Sequence, residues 1–179
     1  MRCFIAIDLP EHAKSRIFHE IESLKKKNLF DGTFSGKDEI HLTMGFLGDL
    51  TSEKIEIVKK KLREVDFTTF KCRVGKSGLF DDEKRIRVIW LEIFSEHLLK
   101  FEKEISEKLP EFFSDYENFS PHVTIARVKS VYDRKGLLEN IRNIRVKNLD
   151  FEVSEFFLMK SELTQGGPKH KILEKFDLR

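Results

Sequence analysis

The 179 residues predict an α+β fold with helices outside mostly antiparallel sheets, and three observations carry that prediction. Strand-type and helix-type hydrophobic periodicities alternate through both halves of the chain. Hydrophobic residues make up 40% of the sequence, enough for a substantial core. The pattern His-x-Thr occurs twice, as His41-Leu42-Thr43 and His122-Val123-Thr124, each in an apolar, β-prone run. The two histidines are 122 − 41 = 81 positions apart, so each copy falls in its own half.

The elements follow in order. A strand over 2–9 leads to Pro10, whose fixed φ suits the start of a helix with Ala13, Ile17, Ile21 and Leu24 on its buried stripe. The first motif strand is expected over 38–48. A second helix begins near Thr51 or Ser52 and buries Ile55, Val58, Leu62 and Val65. Strands at about 67–80 and 85–94 form a hairpin around Asp81-Asp82, and a helix over 95–109 follows, with Leu98, Phe101, Ile105 and Leu109 inward and Pro110 ending it. The second motif strand, a short helix from Asp133 to about Asn143, and strands near 148–163 and 171–178 complete the chain. Most of the 17 phenylalanines, including Phe4, Phe70, Phe94, Phe151, Phe156 and Phe157, fall on strands and are assigned to the core.

A strand turns alternate side chains to opposite faces, so His41 shares a face with Thr43, and His122 with Thr124. Imidazoles titrate near neutrality, so one neutral and one protonated ring can act as base and acid on opposite sides of a phosphorus atom. The threonine hydroxyls can donate to phosphate oxygens, and Arg127 offers a planar fork of donors that matches them. Strict alternation sends Arg127, five residues past His122, to the wrong face. A bulge or strand end near Ala126 is therefore expected. A lone His-x-Thr is most often a core histidine beside a β-former; two copies in matching contexts favour catalysis.

The remaining histidines, His12, His19, His97 and His170, share no context and are read as surface residues. Two histidines without cysteine or carboxylate partners at ligand spacing fall short of a zinc site, so no metal and no cofactor is expected. Cys3 and Cys72 lie far apart in strand-like runs and point to a reducing compartment. No leader and no apolar stretch of membrane-spanning length is found, which predicts a soluble cytoplasmic protein. The net charge of +2 hints only weakly at a polyanion. Lys129, Arg134, Lys135, Arg142, Arg145 and Lys147 cluster after the second motif, and a solvated helix face explains them best. Phe46, Phe119 and Tyr132 are candidates to stack on a nucleobase.

Five segments resemble the 2H phosphoesterase superfamily, specifically the archaeal and bacterial RNA 2′,3′-cyclic phosphodiesterases formerly called 2′-5′ RNA ligases. They are Arg2-Cys3-Phe4-Ile5-Ala6-Ile7-Asp8-Leu9-Pro10, His41-Leu42-Thr43-Met44-Gly45-Phe46-Leu47-Gly48, Arg87-Val88-Ile89-Trp90-Leu91, Ser120-Pro121-His122-Val123-Thr124-Ile125-Ala126-Arg127, and Ser161-Glu162-Leu163 with Gly166-Gly167-Pro168. Met44-Gly45 departs from a more usual Leu-containing pair. The resemblance implies one bilobal domain over 1–179, with two lobes related by a pseudo-twofold axis and an active-site cleft between them. It implies hydrolysis of RNA 2′,3′-cyclic phosphate ends to 2′-phosphomonoesters by a monomer, with His41 as proton donor to the departing oxygen and His122 as the base that activates water. Thr43, Thr124 and Arg127 would hold the phosphate. Joining the same RNA ends into 2′-5′ linkages is the alternative that uses the same groups. A non-catalytic RNA- or nucleotide-binding module and a structural protein with ordinary core histidines are the rivals from other classes.

Overall fold

The computed structural model describes residues 1–82, 85–113, 119–164 and 167–179. In chain order the elements are β1 (Arg2–Asp8), α1 (Glu11–Lys26), β2 (Phe30–Phe34), a 3₁₀ turn (Lys37–Glu39), β3 (His41–Asp49), α2 (Ser52–Leu62), β4 (Phe70–Asp82) and β5 (Arg85–Phe94). They continue with α3 (Leu98–Lys108), β6 (His122–Val131), α4 (Arg134–Asn143), β7 (Asp150–Val153), β8 (Glu155–Thr164) and β9 (Gly167–Asp177). The turn at the expected β4–β5 hairpin lies partly outside the described residues.

All strand pairs are antiparallel, and eight of the strands run in the order β7-β4-β5-β6-β3-β1-β8-β9 while β2 adds to β6. That order divides into β6-β5-β4-β7 and β3-β1-β8-β9, two halves that meet where β3 lies beside β6. The ladder at this seam is one pair, Leu42 with Val123. Each of these residues directly follows a motif histidine. In both halves the motif strand comes after a strand and a helix and is followed by a helix: β1, α1, β3, α2 match β5, α3, β6, α4. This is the expected pair of pseudo-twofold lobes.

The helices bury most of the stripes that periodicity assigns: Ala13, Ile17, Ile21 and Leu24 on α1, Ile55, Val58 and Leu62 on α2, and Leu98, Phe101 and Ile105 on α3, with Leu109 buried just past its end, whereas Val65 lies beyond the end of α2 and is only half-buried. They pack on the sheet face carrying Ile5, Ile7, Leu42, Met44, Val123 and Ile125, all in one buried cluster. Burial of each such aliphatic side chain contributes roughly 1.5–3 kcal/mol. Two helices begin at side-chain caps: Thr51 Oγ1 accepts from the Lys54 N–H (3.3 Å) and Asp133 Oδ1 from the Gly136 N–H (3.0 Å). A second, smaller apolar cluster, Phe4, Ala6, Phe157 and Met159, lies on the opposite face of the sheet, where the register also puts His41 and Thr43. Among the described residues no helix is long and apolar enough to cross a membrane.

Three expectations are corrected and one strand is added. The first motif strand begins at His41 rather than 38, because Lys37–Glu39 close a 3₁₀ turn. Residues 30–34 form a strand although Phe-Asp-Gly-Thr-Phe carries little β signal. The strand expected over 148–163 is two, β7 and β8, broken at Ser154. Phe94 is 64% exposed, since it ends β5 on the outward side of the alternation.

Candidate active site

Both motif strands carry the same irregularity at the same place. Along β3, Thr43 pairs with Ala6 and Gly45 with Ile5, which leaves Met44 as the extra residue. Along β6, Thr124 pairs with Trp90 and Ala126 with Ile89, which leaves Ile125 extra. Each bulge falls three residues past its histidine, and each resets the alternation so that two successive residues, Met44-Gly45 and Ile125-Ala126, face inward. The fifth residue past the histidine therefore returns to the histidine's face. In β6 that residue is Arg127, so the bulge expected near Ala126 is present. In β3 it is Phe46.

The β6 bulge is held by β2. The Ser35 N–H donates to the Ile125 carbonyl (3.0 Å) and the Ser35 hydroxyl to the Thr124 carbonyl (2.8 Å). Gly32 lets β2 approach, because a Cβ there would sit 2.2 Å from the Arg127 carbonyl oxygen.

The two imidazoles are fixed alike. His41 Nδ1 lies 2.8 Å from the Glu39 carbonyl and His122 Nδ1 lies 2.6 Å from the Ser120 carbonyl, in each case the residue two positions upstream. A carbonyl can only accept, so Nδ1 carries the hydrogen in both rings and each Nε2 is the atom left for proton transfer. Extending the Leu42–Val123 register sets His41 opposite Thr124 and Thr43 opposite His122. The histidines are then diagonal neighbours, which in a regular antiparallel pair stand about 7–8 Å apart. Among the described residues the Thr43 and Thr124 hydroxyls and the Arg127 guanidinium have no hydrogen-bond or ion-pair partner.

The rings differ in their neighbours. Burial pushes His41 down to about 4; the charges of His170, Lys14 and Arg127 act in the same direction and the Glu39 carbonyl opposes them. Lys14 is itself buried and paired with Asp8 (2.7 Å), which stands opposite His41 on β1. His122 is also lowered, first by burial and then by Arg127, against the Ser120 carbonyl. Phe80 meets the His122 ring edge-on at 4.7 Å and Trp90 lies 6.3 Å away. Gly78 makes room for that indole, since a Cβ there would come within 2.3 Å of it.

His170 is not the surface residue expected from the sequence. The sheet curls until its ring, on edge strand β9, stands 4.9 Å from His41 and 4.9 Å from Phe4, with the His41 ring 5.1 Å from Phe4. Its Nε2 lies 3.4 Å from Glu39 Oε2. Alternation could assign His170 a face, but no local signal foretells that β9 bends over β1 to reach β3. His12 and His19 are exposed, as expected. Among the base-stacking candidates, Phe46 is 42% and Tyr132 63% exposed, while Phe119 packs against the main core. Only Phe46 shares the face of a motif histidine through the pairing described above. Among the described residues no three His, Cys, Asp or Glu side chains converge to ligate a metal.

Known proteins resemble this chain in sequence and in fold. A family profile described as the 2′-5′ RNA ligase superfamily matches residues 10–165. The chain belongs to that superfamily. A Methanocaldococcus jannaschii protein called RNA 2′,3′-cyclic phosphodiesterase is 33% identical over 182 residues, covering 98% of this chain and 100% of its own. A Thermotoga maritima protein with the same name is 36% identical over 177 residues, covering 97% and 93%. A Thermus thermophilus protein of known crystal structure superposes with a TM-score of 0.83 at 25% identity, covering 100% of this chain and 98% of its own. The superfamily membership read from the five motif segments is thereby borne out, and so is the two-lobed α+β architecture.

Proposed function

We propose that this protein hydrolyses 2′,3′-cyclic phosphate ends of RNA to 2′-phosphomonoesters by metal-independent general acid–base catalysis. The observation that carries the reading is the matched pair of imidazoles, each with Nδ1–H committed to the carbonyl two residues upstream and Nε2 left to exchange protons. Superfamily membership and two relatives named for this reaction support the substrate class.

In the proposed reaction His122 Nε2 takes a proton from water as the oxygen attacks phosphorus, and His41 Nε2–H gives one to the departing 3′-oxygen. The 2′-oxygen keeps the phosphate. Thr43 and Thr124 donate to its non-bridging oxygens, and Arg127 opposes the charge that builds on them in the transition state. His41 must be protonated for this role although burial pushes it down to about 4. The phosphate anion supplies the remedy, since a negative charge within a few ångströms favours imidazolium. We take the working unit to be one bilobal domain acting as a cytoplasmic monomer.

The test is incubation with an RNA ending in a 2′,3′-cyclic phosphate in the presence of EDTA. Wild type is expected to yield a 2′-phosphate, and His41→Ala or His122→Ala to lose the activity. Chelator-sensitive turnover, or an unimpaired variant, overturns the mechanism. Adding an RNA with a 5′-hydroxyl to the same assay scores 2′-5′ joining.

A further inference from the structure

Three segments far apart in the sequence close around one side of the His41 ring: β1 through Phe4, the 3₁₀ turn through Glu39, and β9 through His170. Glu39 acts twice, its carbonyl accepting from His41 Nδ1–H at 2.8 Å and its carboxylate lying 3.4 Å from His170 Nε2. The His170 ring stands nearly perpendicular to His41, at 85°. Glu39 Oε2 and His170 Nδ1 are both buried without a hydrogen-bond partner. Such atoms are costly and rare, so two of them beside the candidate acid call for a function.

We propose that His170, held by the Glu39 carboxylate and wedged against the His41 ring, is a positioning residue that fixes both the orientation and the proton occupancy of His41. This rests on the reading of His41 as proton donor. Orientation follows from geometry: Phe4 and His170 confine the ring while the Glu39 carbonyl pins Nδ1, so Nε2 can present in only one direction. Proton occupancy follows from the charges that face the pair. These are Glu39 from the 3₁₀ turn, Arg127 from β6, and Lys14 from α1, the last already paired with Asp8 of β1. Burial lowers His170 and Arg127 adds to it while the Glu39 carboxylate opposes both; burial lowers His41 first, and a proton on His170 lowers it further. A phosphate anion arriving at Nε2 acts on His41 in the opposite direction. His41 thus becomes an acid only when there is something to protonate.

Histidine-ring NMR titrations of the whole protein test the proposal without turnover, with inorganic phosphate as the probe anion. His170→Phe is expected to raise the His41 midpoint by removing a like charge, and Glu39→Gln to lower the His170 midpoint by removing its counter-charge. In wild type, phosphate is expected to raise the His41 midpoint. In the RNA assay His170→Phe is expected to cut kcat roughly 10- to 100-fold, the usual effect of a misplaced reacting group, with KM little changed. Should His170→Phe fail to fold, the part-exposed Glu39→Gln decides the matter alone. Unmoved midpoints in the variants, with kcat at the wild-type level, overturn the proposal and leave His170 as packing. Retained activity in His41→Ala would instead defeat the reaction proposed above, and the titrations would still read the His41–His170 coupling.

Discussion

The two motif strands are built to one plan and tuned to different ends. Both bulge three residues past the histidine, both commit Nδ1 to a carbonyl two residues upstream, and both lend one residue to the single rung that joins the lobes. At the fifth position past the histidine they part, with Phe46 on β3 and Arg127 on β6. They part again in what surrounds the ring: Lys14, His170 and Phe4 about His41, but Phe80 and Trp90 about His122. The shared features fix where a proton can be exchanged; the differing ones set how readily each ring holds it. A duplicated scaffold has become an unequal pair.

The largest blow to that pair is removal of either ring. His41→Ala and His122→Ala should each lower kcat by roughly 10²–10⁴-fold, as general acids and bases contribute. Equal losses would say that neither ring can stand in for the other, whereas a mild loss in one would assign the chemistry to its partner alone. Next comes the residue that only one strand carries. Arg127→Ala is expected to cost about 10²–10³-fold in kcat, with partial recovery in Arg127→Lys, which keeps charge but loses the fork. Phe46→Ala, at the matching place on β3, should leave kcat nearly intact; a loss equal to that of Arg127→Ala would erase the functional asymmetry of the strands.

The pH profile sharpens the comparison further. Both rings are depressed, His41 to about 4 and His122 below its usual 6.5, so both limbs of kcat/KM, which reports the free enzyme, should lie on the acid side of 6.5. The limbs of kcat, which report the substrate complex, should stand at higher pH because the bound anion favours imidazolium. Coincident limbs would show that the anion does not touch the acid. The same depression affects stability. Between about pH 4 and 6.5 the unfolded chain binds the His41 proton and the folded one does not, so stability should fall as pH drops through this window, by on the order of 3 kcal/mol from His41. Urea melts of wild type and His41→Gln at pH 4.5 and 7 measure it, and identical pH slopes would refute the buried neutral ring. The smallest effect on stability is expected at Gly78→Ala. Its Cβ must displace the Trp90 indole, which costs about 1–3 kcal/mol and disturbs His122 but not His41.

Much of this was legible from the chain. Helical stripes such as Ala13, Ile17, Ile21 and Leu24 repeat at a period set by local geometry, and the His-x-Thr pairs show their shared face through alternation alone. Even the bulge before Arg127 could be argued, from the conflict between alternation and the burial of an arginine. What escaped depends on distant partners. Phe30–Phe34 becomes a strand because β6 offers its edge, and Gly32 is there for the approach rather than for propensity. His170 reaches His41 through the curl of the whole sheet, and Phe80 reaches His122 across β5 beside Trp90, with Gly78 clearing the space.

One rung of ladder joins the lobes, and it lies between the two histidines. That makes Leu42 and Val123, both fully buried on the helix-covered face, the footing of the instrument: the backbone pairing they support from beneath sets how far apart the two histidines stand on the other face. A bulkier residue at either place, as in Val123→Phe, would spoil the calibration while leaving every reactive atom in its own lobe untouched.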